Sequence, residues 1–489
     1  MSSESYYDAL GLPTSATLSD IQEAFAALIT NFPEASSKVS NPAYEKLLQA
    51  YEVLSDKNRR EIYDSLLVET AAPSLTLTVQ CSRQKMKLTD TAQAIYFLLE
   101  VNPPTHATRA RRPINLCLAL DRSTSMQGER LNCVKTAVEL IIDKLAPEDV
   151  ISIVSYSDRA EVVTSPTRIQ NKNVIISHIR DIQASGGTEI YQGLLTSIEQ
   201  MRQMPLQNYI NHLILLTDGH TYGDANQCIQ LAQKASQWNI GLSAFGIGSE
   251  WNDQFLDQLV APSGGRSAYI EEPTQIIDYL QERIKGLGVI HGRNLRLKKS
   301  FPEKVTLQYG FKLLPFAQPL ELEGSEIKLG NLEGKGSLSI LLELLIHPQE
   351  HESKITIPFE ITAEITEQNN QQQKLTAQIQ IILSSNAPAI EPPQDIVKAV
   401  RMLNMYRMNE KVWEDLEAGH VGAAATRLRR LTTRLLEAGE IQLAQQANAE
   451  TERLSNIGEL SEEGRKRLKF GTRTMIGQTM KIEDTYDPL

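Results

Sequence analysis

The sequence of 489 residues lacks any long apolar run and has only four cysteines. A membrane-spanning helix needs about 18 consecutive apolar residues, whereas the longest apolar run, Leu338 to Ile346, is interrupted by Ser339 and Glu343 and fits a buried strand. The N-terminus shows neither the basic nor the apolar segment of a secretory signal. The cysteines form no CxxC pair, which argues against a disulfide scaffold or a zinc site. We therefore expect a cytoplasmic protein with no membrane span.

Basic residues are also in short supply relative to acidic ones. Lys and Arg number 49 and Asp and Glu number 60, which leaves a net charge of −11. Because phosphate contacts need a dominant basic face, this balance predicts no nucleic-acid partner. Two local basic clusters, residues 427–434 and 464–469, have acidic neighbours and no interleaved aromatics, so we interpret them as solvated helix faces. The composition, 41% hydrophobic and 22% charged, is ordinary for a globular protein and excludes a wholly disordered chain.

Changes in hydrophobic period divide the chain into segments. Residues 1–67 read as helical, 68–73 as a linker, and 74–110 as strands with alternating polar and apolar residues. Residues 111–290 alternate buried strands with helices and include a short antiparallel strand, EVVTS, at the sheet edge. Residues 291–386 return to strands, 387–394 form a second linker, 395–475 predict antiparallel helical hairpins, and 476–489 predict a flexible tail.

These segments predict a multidomain α/β protein. The central segment reads as a Rossmann-like, doubly wound α/β domain, because its strands are continuous apolar runs separated by helices. Strand segments flank it on both sides, and domain termini often lie close together. We therefore predict that it is inserted in one β-sandwich made of residues 74–110 and 291–386. In the N-terminal helical domain Ser19 is the expected N-cap of the helix that carries Ala24, Leu28 and Ile29. In the C-terminal helical region Gly419 and Gly439 fall where helices should end.

Oxygen-bearing side chains follow two of the buried strands and one glycine-rich loop. Asp121, Ser123 and Ser125 form a DxSxS motif after the first α/β strand, Thr188 lies in the loop SGGTE, and Asp218 follows a later strand in LLTDG. Ligands gather at the carboxyl ends of strands in open α/β sheets. Two carboxylates and three hydroxyls, with no sulfur or imidazole, suit hard cations such as Mg²⁺, Mn²⁺ or Ca²⁺. Neutral hydroxyls do not cancel the charge of such an ion, so a carboxylate from a partner can complete its coordination shell.

The order and context of these residues resemble the metal-ion-dependent adhesion site of von Willebrand factor A domains. The resemblance covers about residues 113–287 and includes all five motif positions. It implies that Ser123 and Ser125 ligate through their hydroxyls, that Asp121 and Asp218 act directly or through water, and that Thr188 engages when a partner binds. It also implies a divalent cation, with Mg²⁺ favoured over Mn²⁺ or Ca²⁺, and a protein partner that presents an acidic side chain. The alternative is that these residues only cap strand ends and form Asx turns.

Signs of catalysis are scarce. Metal-dependent hydrolysis needs a general base near the bound water or a second metal about 3.5–4 Å away, and the sequence has no HExxH motif or dense carboxylate cluster. The glycine-rich segments lack the GxxxxGK[ST] pattern of a phosphate-binding loop. We interpret His220, which follows the Thr-Asp-Gly motif, as a loop histidine. The sequence therefore predicts that the protein is not an enzyme, with a metal hydrolase as an alternative.

The N-terminal helices resemble a J domain of DnaJ-type co-chaperones over residues 5–66. The segments SYYDALGL, SDIQEAFAALI, AYEVLSD and RREIYD carry the resemblance, which implies two long antiparallel helices. Two departures make the domain degenerate. The His-Pro-Asp tripeptide of the family reads Phe32-Pro33-Glu34, and the normally basic helix before it carries Asp20 and Glu23. Because both changes weaken docking on an acidic chaperone surface, we expect a repurposed docking module or a helical cap.

These observations lead to one functional prediction and one alternative. We predict a non-enzymatic cytoplasmic scaffold or adaptor that binds protein partners through a divalent cation at the adhesion-type site. The alternative is a chaperone-type adaptor, either a DnaK-type co-chaperone or the partner of a MoxR-type AAA+ ATPase, to which some bacterial von Willebrand A proteins are linked. The arrangement of segments is similar to that of bacterial, especially cyanobacterial, cytoplasmic von Willebrand A proteins.

Overall fold

A computed structural model divides the chain into two units, Met1–Ser74 and Leu75–Leu489. The residues that the structure describes are 6–12, 16–30, 42–60, 63, 75–104, 111–220, 223–287, 289–334, 336–365, 371–388 and 390–481. Each unit has its own buried apolar core. Within these ranges, no helix is both long enough and apolar enough to cross a bilayer.

Helices form the described part of the first unit. They are α1 (Tyr6–Leu10), α2 (Leu18–Ile29) and α3 (Pro42–Leu54). Ile21 of α2 and Leu54 of α3 are buried in their shared core. The cap of α2 is Thr17, so the prediction of Ser19 is wrong. The Thr17 hydroxyl accepts from the N–H of Asp20, and the Asp20 carboxylate accepts from the N–H of Thr17 at 2.7 Å, which makes a reciprocal capping box two residues earlier.

Three strands begin the second unit. They are β1 (Thr76–Cys81), β2 (Lys85–Lys87) and β3 (Gln93–Asn102). β1 pairs antiparallel with β3, whose Phe97 and Leu99 are buried in the core of the sandwich described below. Leu98, between them, is buried in a different core, against the C-terminal helices. Both faces of β3 are therefore covered.

The central part of the second unit is a six-stranded sheet between helices. Its strands are β4 (Ile114–Asp121), β5 (Val150–Tyr156), β6 (Ala160–Arg168), β7 (Ile210–Thr217), β8 (Ile240–Ile247) and β9 (Ser267–Ile270). Its helices are α4 (Glu129–Lys144), α5 (Lys172–Arg180), α6 (Ile190–Met201), α7 (Ala225–Gln237), α8 (Asp253–Val260) and α9 (Ile276–Leu287). The doubly wound fold class predicted from the sequence is confirmed.

The strand order of this sheet explains where its polar loops meet. The order is β6-β5-β4-β7-β8-β9, and all neighbours are parallel except the edge pair of β5 with β6. The chain winds outward in opposite directions on the two sides of β4, which makes the β4–β7 boundary the switch point where ligands bind in such sheets. Every residue of β4, β5 and β7 is buried, as their apolar runs predict.

Strands after the α/β domain complete two sheets with β1, β2 and β3. They are β10 (Ile290–Lys298), β11 (Val305–Leu314), β12 (Gln318–Pro319), β13 (Glu326–Glu333), β14 (Leu338–Ile346), β15 (Ser353–Ile365) and β16 (Gln371–Ser384). One sheet has the order β1-β3-β14-β11-β12 and the other β13-β10-β15-β16-β2. Their facing residues form one core, in which the rings of Phe97 and Phe359 lie 5.1 Å apart. Both sheets therefore contain strands from both sides of the α/β domain.

Helices form the described end of the chain. They are α10 (Gln394–Glu417), α11 (Val421–Glu437), α12 (Ile441–Ile457) and α13 (Glu462–Lys481). Gly419 and Gly439 follow the ends of α10 and α11 with φ of +76° and +81°, which glycine adopts without steric cost. The tail predicted from residue 476 is helical as far as Lys481, because Ile476 and Met480 are buried in the helical core. Residues 482–489 lie outside the described part.

The basic cluster at residues 464–469 is not the solvated face that its local pattern predicts. The Lys466 and Lys469 side chains are only 1% and 3% exposed. The Lys466 ammonium donates to the Ser249 carbonyl at 2.5 Å, and that of Lys469 lies 2.5 Å from Asp253 and 2.9 Å from Asp257. The prediction fails because these partners lie in and just before α8, far away in sequence. Buried lysines of this kind are retained where carboxylates and carbonyls meet them.

Arg473 of α13 completes this ion cluster. Its guanidinium lies 2.7 Å from Asp257 and donates to the Tyr406 hydroxyl at 3.1 Å. Burial raises the pKa of Asp257, but Arg473 and Lys469 outweigh burial and hold that pKa well below the ordinary 3.8. The ionised carboxylate therefore stabilises the folded protein above pH 3.8, and this stabilisation is lost as the pH falls toward the lowered pKa. Buried ion pairs thus join the C-terminal helical region to the α/β domain.

Replacing Asp257 tests whether these ion pairs stabilise the folded protein. Asp257→Asn should lower the free energy of unfolding by about 3 kcal/mol at pH 7, because it leaves two buried cations with one carboxylate fewer. The difference from the wild type should shrink as the pH falls well below 3.8, where the wild-type carboxyl also becomes neutral. Urea unfolding can be followed by tryptophan fluorescence, since the Trp251 ring lies 5.7 Å from that of Phe470 on α13.

An exposed ion pair provides the control for this measurement. Arg434 and Glu437 lie 2.8 Å apart on α11 with side chains 62% and 57% exposed. Arg434→Gln should change the stability by less than about 0.5 kcal/mol. An equally small effect of Asp257→Asn would show that the buried cluster does not hold the helices in place.

Candidate metal centre

The loop after β4 places three oxygen-bearing side chains at the carboxyl edge of the sheet. Asp121 ends β4 and is fully buried. Its Oδ1 accepts a hydrogen bond from the Ser123 N–H at 2.8 Å, at the start of the short 3-10 helix Thr124–Met126. The hydroxyls of Ser123 and Ser125 lie 3.1 Å apart. The DxSxS spacing therefore gathers a carboxylate and two hydroxyls within one tight turn.

The neighbouring strand β7 brings a second carboxylate to this turn. Asp218 follows β7 and is fully buried. Its Oδ1 accepts from the Ser125 hydroxyl at 2.8 Å and from the Ser123 hydroxyl at 3.4 Å. Thr217, the last residue of β7, donates its hydroxyl to Asp121 Oδ2 at 2.8 Å. Hydrogen bonds between side chains thus join the two strand ends.

The glycine-rich loop before α6 holds Thr188 beside these groups. A methyl group added to Gly219, the residue after Asp218, would lie 2.9 Å from the Thr188 hydroxyl oxygen. The same loop is tied to the DxSxS turn, since the Gly186 carbonyl accepts from the N–H and from the hydroxyl of Thr124, both at 3.0 Å. Gly186 has φ of +81°, and a side chain there would also collide with the carboxylate of Asp158. All five predicted positions are therefore brought together at one rim.

Sequence reasoning missed a guanidinium group that reaches this rim. Arg130, at the start of α4, donates to Asp218 Oδ2 at 2.7 Å and to the Ser125 carbonyl at 3.4 Å. A side chain on Gly248 would come within 2.9 Å of the guanidinium, so the loop after β8 lies directly beside it. A cation in the first turn of a helix opposes the helix dipole. An arginine at this electrostatically unfavourable position is the one sequence feature that could have indicated a carboxylate partner for Arg130.

The charge balance at the rim is negative. Asp121 and Asp218 are both buried. Among the described residues, Asp218 forms an ion pair with Arg130, and Asp121 forms none. Burial raises the pKa of Asp121 to about 6; hydrogen bonds from Ser123 and Thr217 oppose this rise, and the charge of Asp218 adds to it. A divalent cation would relieve the repulsion and would meet only oxygen donors. The residues therefore fit a hard divalent ion.

The two buried carboxylates would not be enough to hold a metal ion at this rim by themselves. In the described part of the chain, no group of three or more His, Cys, Asp or Glu side chains is placed to hold a metal. A metal here would therefore depend on the hydroxyl groups. His220 is exposed on the loop after Asp218, and a general base would have to lie within hydrogen-bonding reach of a bound water.

Comparison with known protein families identifies the domains. Residues 115–283 match the model of the von Willebrand factor type A domain, so the inserted α/β domain is a von Willebrand factor A domain. Residues 5–64 match the DnaJ domain, and residues 394–478 match the Sll0103-like, C-terminal alpha-helical domain. The two domain resemblances inferred from the sequence are confirmed.

Similar proteins extend beyond the single domain. The uncharacterized protein sll0103 of Synechocystis sp. is 27% identical over 381 residues, which cover 75% of this chain and 89% of that protein. The bovine inter-alpha-trypsin inhibitor heavy chain H4 is 31% identical over 185 residues, but these cover 35% of this chain and 20% of the heavy chain. The likeness to the heavy chain is therefore confined to a fifth of its length.

Two solved structures share the fold of most of this chain. A von Willebrand factor type A protein from Catenulispora acidiphila has a TM-score of 0.66 at 17% identity, over 82% of this chain and 96% of its own. The ArnB paralog VWA2 from Sulfolobus acidocaldarius has a TM-score of 0.53 at 15% identity, over 82% of this chain and 98% of its own. At these identities the comparison concerns the fold and not the function.

Proposed function

We propose that this protein is a non-enzymatic scaffold that binds a protein partner through a divalent cation at the candidate metal centre. Asp121, Ser123, Ser125, Thr188 and Asp218 would hold the cation. The observation that carries the proposal is the convergence of these side chains from three separate loops around two buried carboxylates and one guanidinium. The proposal also fits the von Willebrand factor A domain, since such domains generally serve in interactions between proteins.

The donor set favours an acidic partner. The bound ion would supply a positive charge at the rim, which two carboxylates and neutral hydroxyls cancel only in part. Ser123 and Ser125 would orient their hydroxyls around it, and Thr188 would hold its hydroxyl beside the open side of the rim. An Asp or Glu side chain of a partner would then be recognised. We favour Mg²⁺, with Mn²⁺ or Ca²⁺ as alternatives, and we retain the cytoplasm as the proposed compartment.

Removing one carboxylate charge tests the metal assignment. Asp121→Asn keeps the shape of the side chain and an acceptor for the Ser123 N–H, and it should weaken Mn²⁺ and Mg²⁺ binding at least about tenfold. Isothermal titration calorimetry measures this. Asp143→Asn removes the same charge from an exposed position on α4 and serves as the control. Unchanged binding in Asp121→Asn would rule out this ligand set.

Partner binding can be tested with the same variants. The tagged full-length protein is used for affinity purification in Mg²⁺ and again in EDTA, and bound proteins are identified by mass spectrometry. A partner of the metal centre should be recovered by the wild type and by Asp143→Asn in Mg²⁺, but not in EDTA and not by Asp121→Asn. A partner recovered equally in all arms would show that binding does not use the cation.

Arg130 should compete with the cation for Asp218. Arg130→Met removes the guanidinium from Asp218 Oδ2, and we expect it to strengthen Mn²⁺ binding by roughly tenfold while lowering the melting temperature of the metal-free protein. Arg122→Met is the control. Its guanidinium comes from the DxSxS turn before α4 and bonds to Glu161 at 2.9 Å and to the Ser185 hydroxyl, not to Asp218. Weaker or unchanged Mn²⁺ binding in Arg130→Met would contradict the competition.

A chaperone-type adaptor is the alternative function, and the match to the DnaJ domain is the observation that favours it. Against it, Asp20 and Glu23 are exposed on α2, where they would repel an acidic chaperone surface. The altered tripeptide at residues 32–34 lies outside the described residues. A MoxR-type AAA+ ATPase is retained as an alternative partner on the sequence resemblance.

Chaperone stimulation provides the test of this alternative. The wild-type protein should not raise steady-state ATP hydrolysis by a bacterial DnaK above background. Phe32→His with Glu34→Asp should not restore stimulation, whereas adding Glu23→Lys should restore a weak effect. Asp20 is left intact because it caps α2 together with Thr17. Strong stimulation by the wild type would make the co-chaperone the better interpretation.

A further inference from the structure

A large groove lies between the β-sandwich and the C-terminal helices. Its volume is about 1160 Å³. Its walls are the β2 segment at residues 82–87, residues 387, 388, 390 and 392 of the linker before α10, and one face of α10, with two arginines of α11. None of the lining residues belongs to the von Willebrand A domain. We call this feature the basic groove because of the charges described next.

The basic groove concentrates positive charge in an acidic protein. Eight of its lining residues are Lys or Arg and none is Asp or Glu, whereas the whole chain has a net charge of −11. Three of the eight have carboxylate partners: Arg407 with Glu343, Arg427 with Asp415, and Arg434 with Glu437. The other five have no carboxylate within 4 Å among the described residues; they are Arg83, Lys85, Lys87, Arg401 and Lys411. Such a run of unpaired cations attracts anionic groups.

The floor of the groove is apolar. Val397, Val400 and Met408, each partly exposed, project from α10 into the groove. Met86, between the two β2 lysines, is 2% exposed and packs in the core of the sandwich. Ile390, in the linker, is 52% exposed. Methionine adapts its shape to different apolar surfaces, which suits a binding floor. A ligand that matches this surface must therefore carry both apolar and acidic groups.

The length of the groove favours a polypeptide ligand. Its α10 wall extends from Ile396 to Lys411, and the fifteen steps of 1.5 Å between these residues span about 22 Å. The lining positions recur every three or four residues, so they share one face of α10. A helix of about four turns has this length and can place apolar and acidic residues on separate faces. A compact metabolite would leave much of such a groove empty.

We propose that the basic groove binds an acidic amphipathic helix of a partner protein. The apolar face of that helix lies on Val397, Val400 and Met408, and its carboxylates meet Arg401, Lys411 and the lysines of β2. Recognition here requires no metal ion, since neither the Lys and Arg side chains nor the apolar floor belong to the metal centre. The groove is therefore a second binding site, separate from the one proposed above.

A designed peptide is the probe. A fluorescein-labelled peptide of about 18 residues, with leucine at i, i+3, i+4 and i+7 and glutamate elsewhere, is titrated with the full chain in EDTA and followed by fluorescence anisotropy. Arg401→Glu with Lys411→Glu should weaken binding at least about tenfold, because two attractions become repulsions. Arg429→Glu with Arg430→Glu reverses two exposed charges of α11 outside the groove and should change binding less than about threefold.

Further arms distinguish binding in the groove from binding at the metal centre and from binding to lipid. A matched peptide with lysine in place of glutamate should bind the wild type poorly and the Arg401→Glu, Lys411→Glu variant better. Val400→Asn should weaken the acidic peptide without changing the charge, and thermal melting checks that each variant folds. Asp121→Asn should bind the peptide like the wild type, which separates this result from the metal proposal. No binding of the acidic peptide, equal binding of the lysine peptide, or binding only to phosphatidylglycerol vesicles would overturn the proposal.

Discussion

Pairing between β3 and β14 is the constraint on which the rest of the second unit depends. The register joins Gln93 to Ile346 and Val101 to Leu338, so the chain must return to the same sheet after the whole von Willebrand A domain. Closing so long a loop costs entropy, and the shared sandwich core offsets it. Further contacts hold the inserted domain in place: Arg293 donates to the Tyr209 carbonyl at 3.0 Å, and Arg283 bonds to Glu333 at 2.5 Å. The inserted domain is thus joined to the sandwich by side-chain hydrogen bonds as well as by its two chain connections.

The candidate metal centre and the helical region are linked by a continuous set of contacts. Arg130 bonds to Asp218 and lies against Gly248. The next residue, Ser249, accepts the buried ammonium of Lys466 through its carbonyl. The loop after β8 therefore contacts both α13 and the guanidinium that pairs with Asp218.

The sequence predicts those features that depend on local pattern. Apolar runs indicated the buried strands of the α/β sheet, and DxSxS in order with SGGTE and LLTDG indicated which loops converge. The pairing of Arg130 with Asp218 and of Lys469 with Asp253 depends on tertiary contacts that no local pattern encodes. β13 lies inside the segment 291–386 predicted as strands, but Gly330, at φ +89°, and bulges against β10 make its pairing irregular. Burial of a strand can thus be predicted from the local sequence, whereas the partner of a charged side chain can be identified only from the folded structure.

Cations play two opposite roles in this acidic protein, and the difference lies in their pairing. Lys469 is buried and pairs with two carboxylates, so its charge stabilises the fold and is not available to a ligand. Arg401 and Lys411 line an open groove without carboxylates among the described residues, so their charge remains available to a ligand. The net charge of −11 repels acidic molecules at a distance, but salt screens that repulsion beyond about 8 Å at physiological ionic strength. Within the groove the nearest charges dominate, so an acidic helix can be selected there at short range although the protein as a whole is acidic.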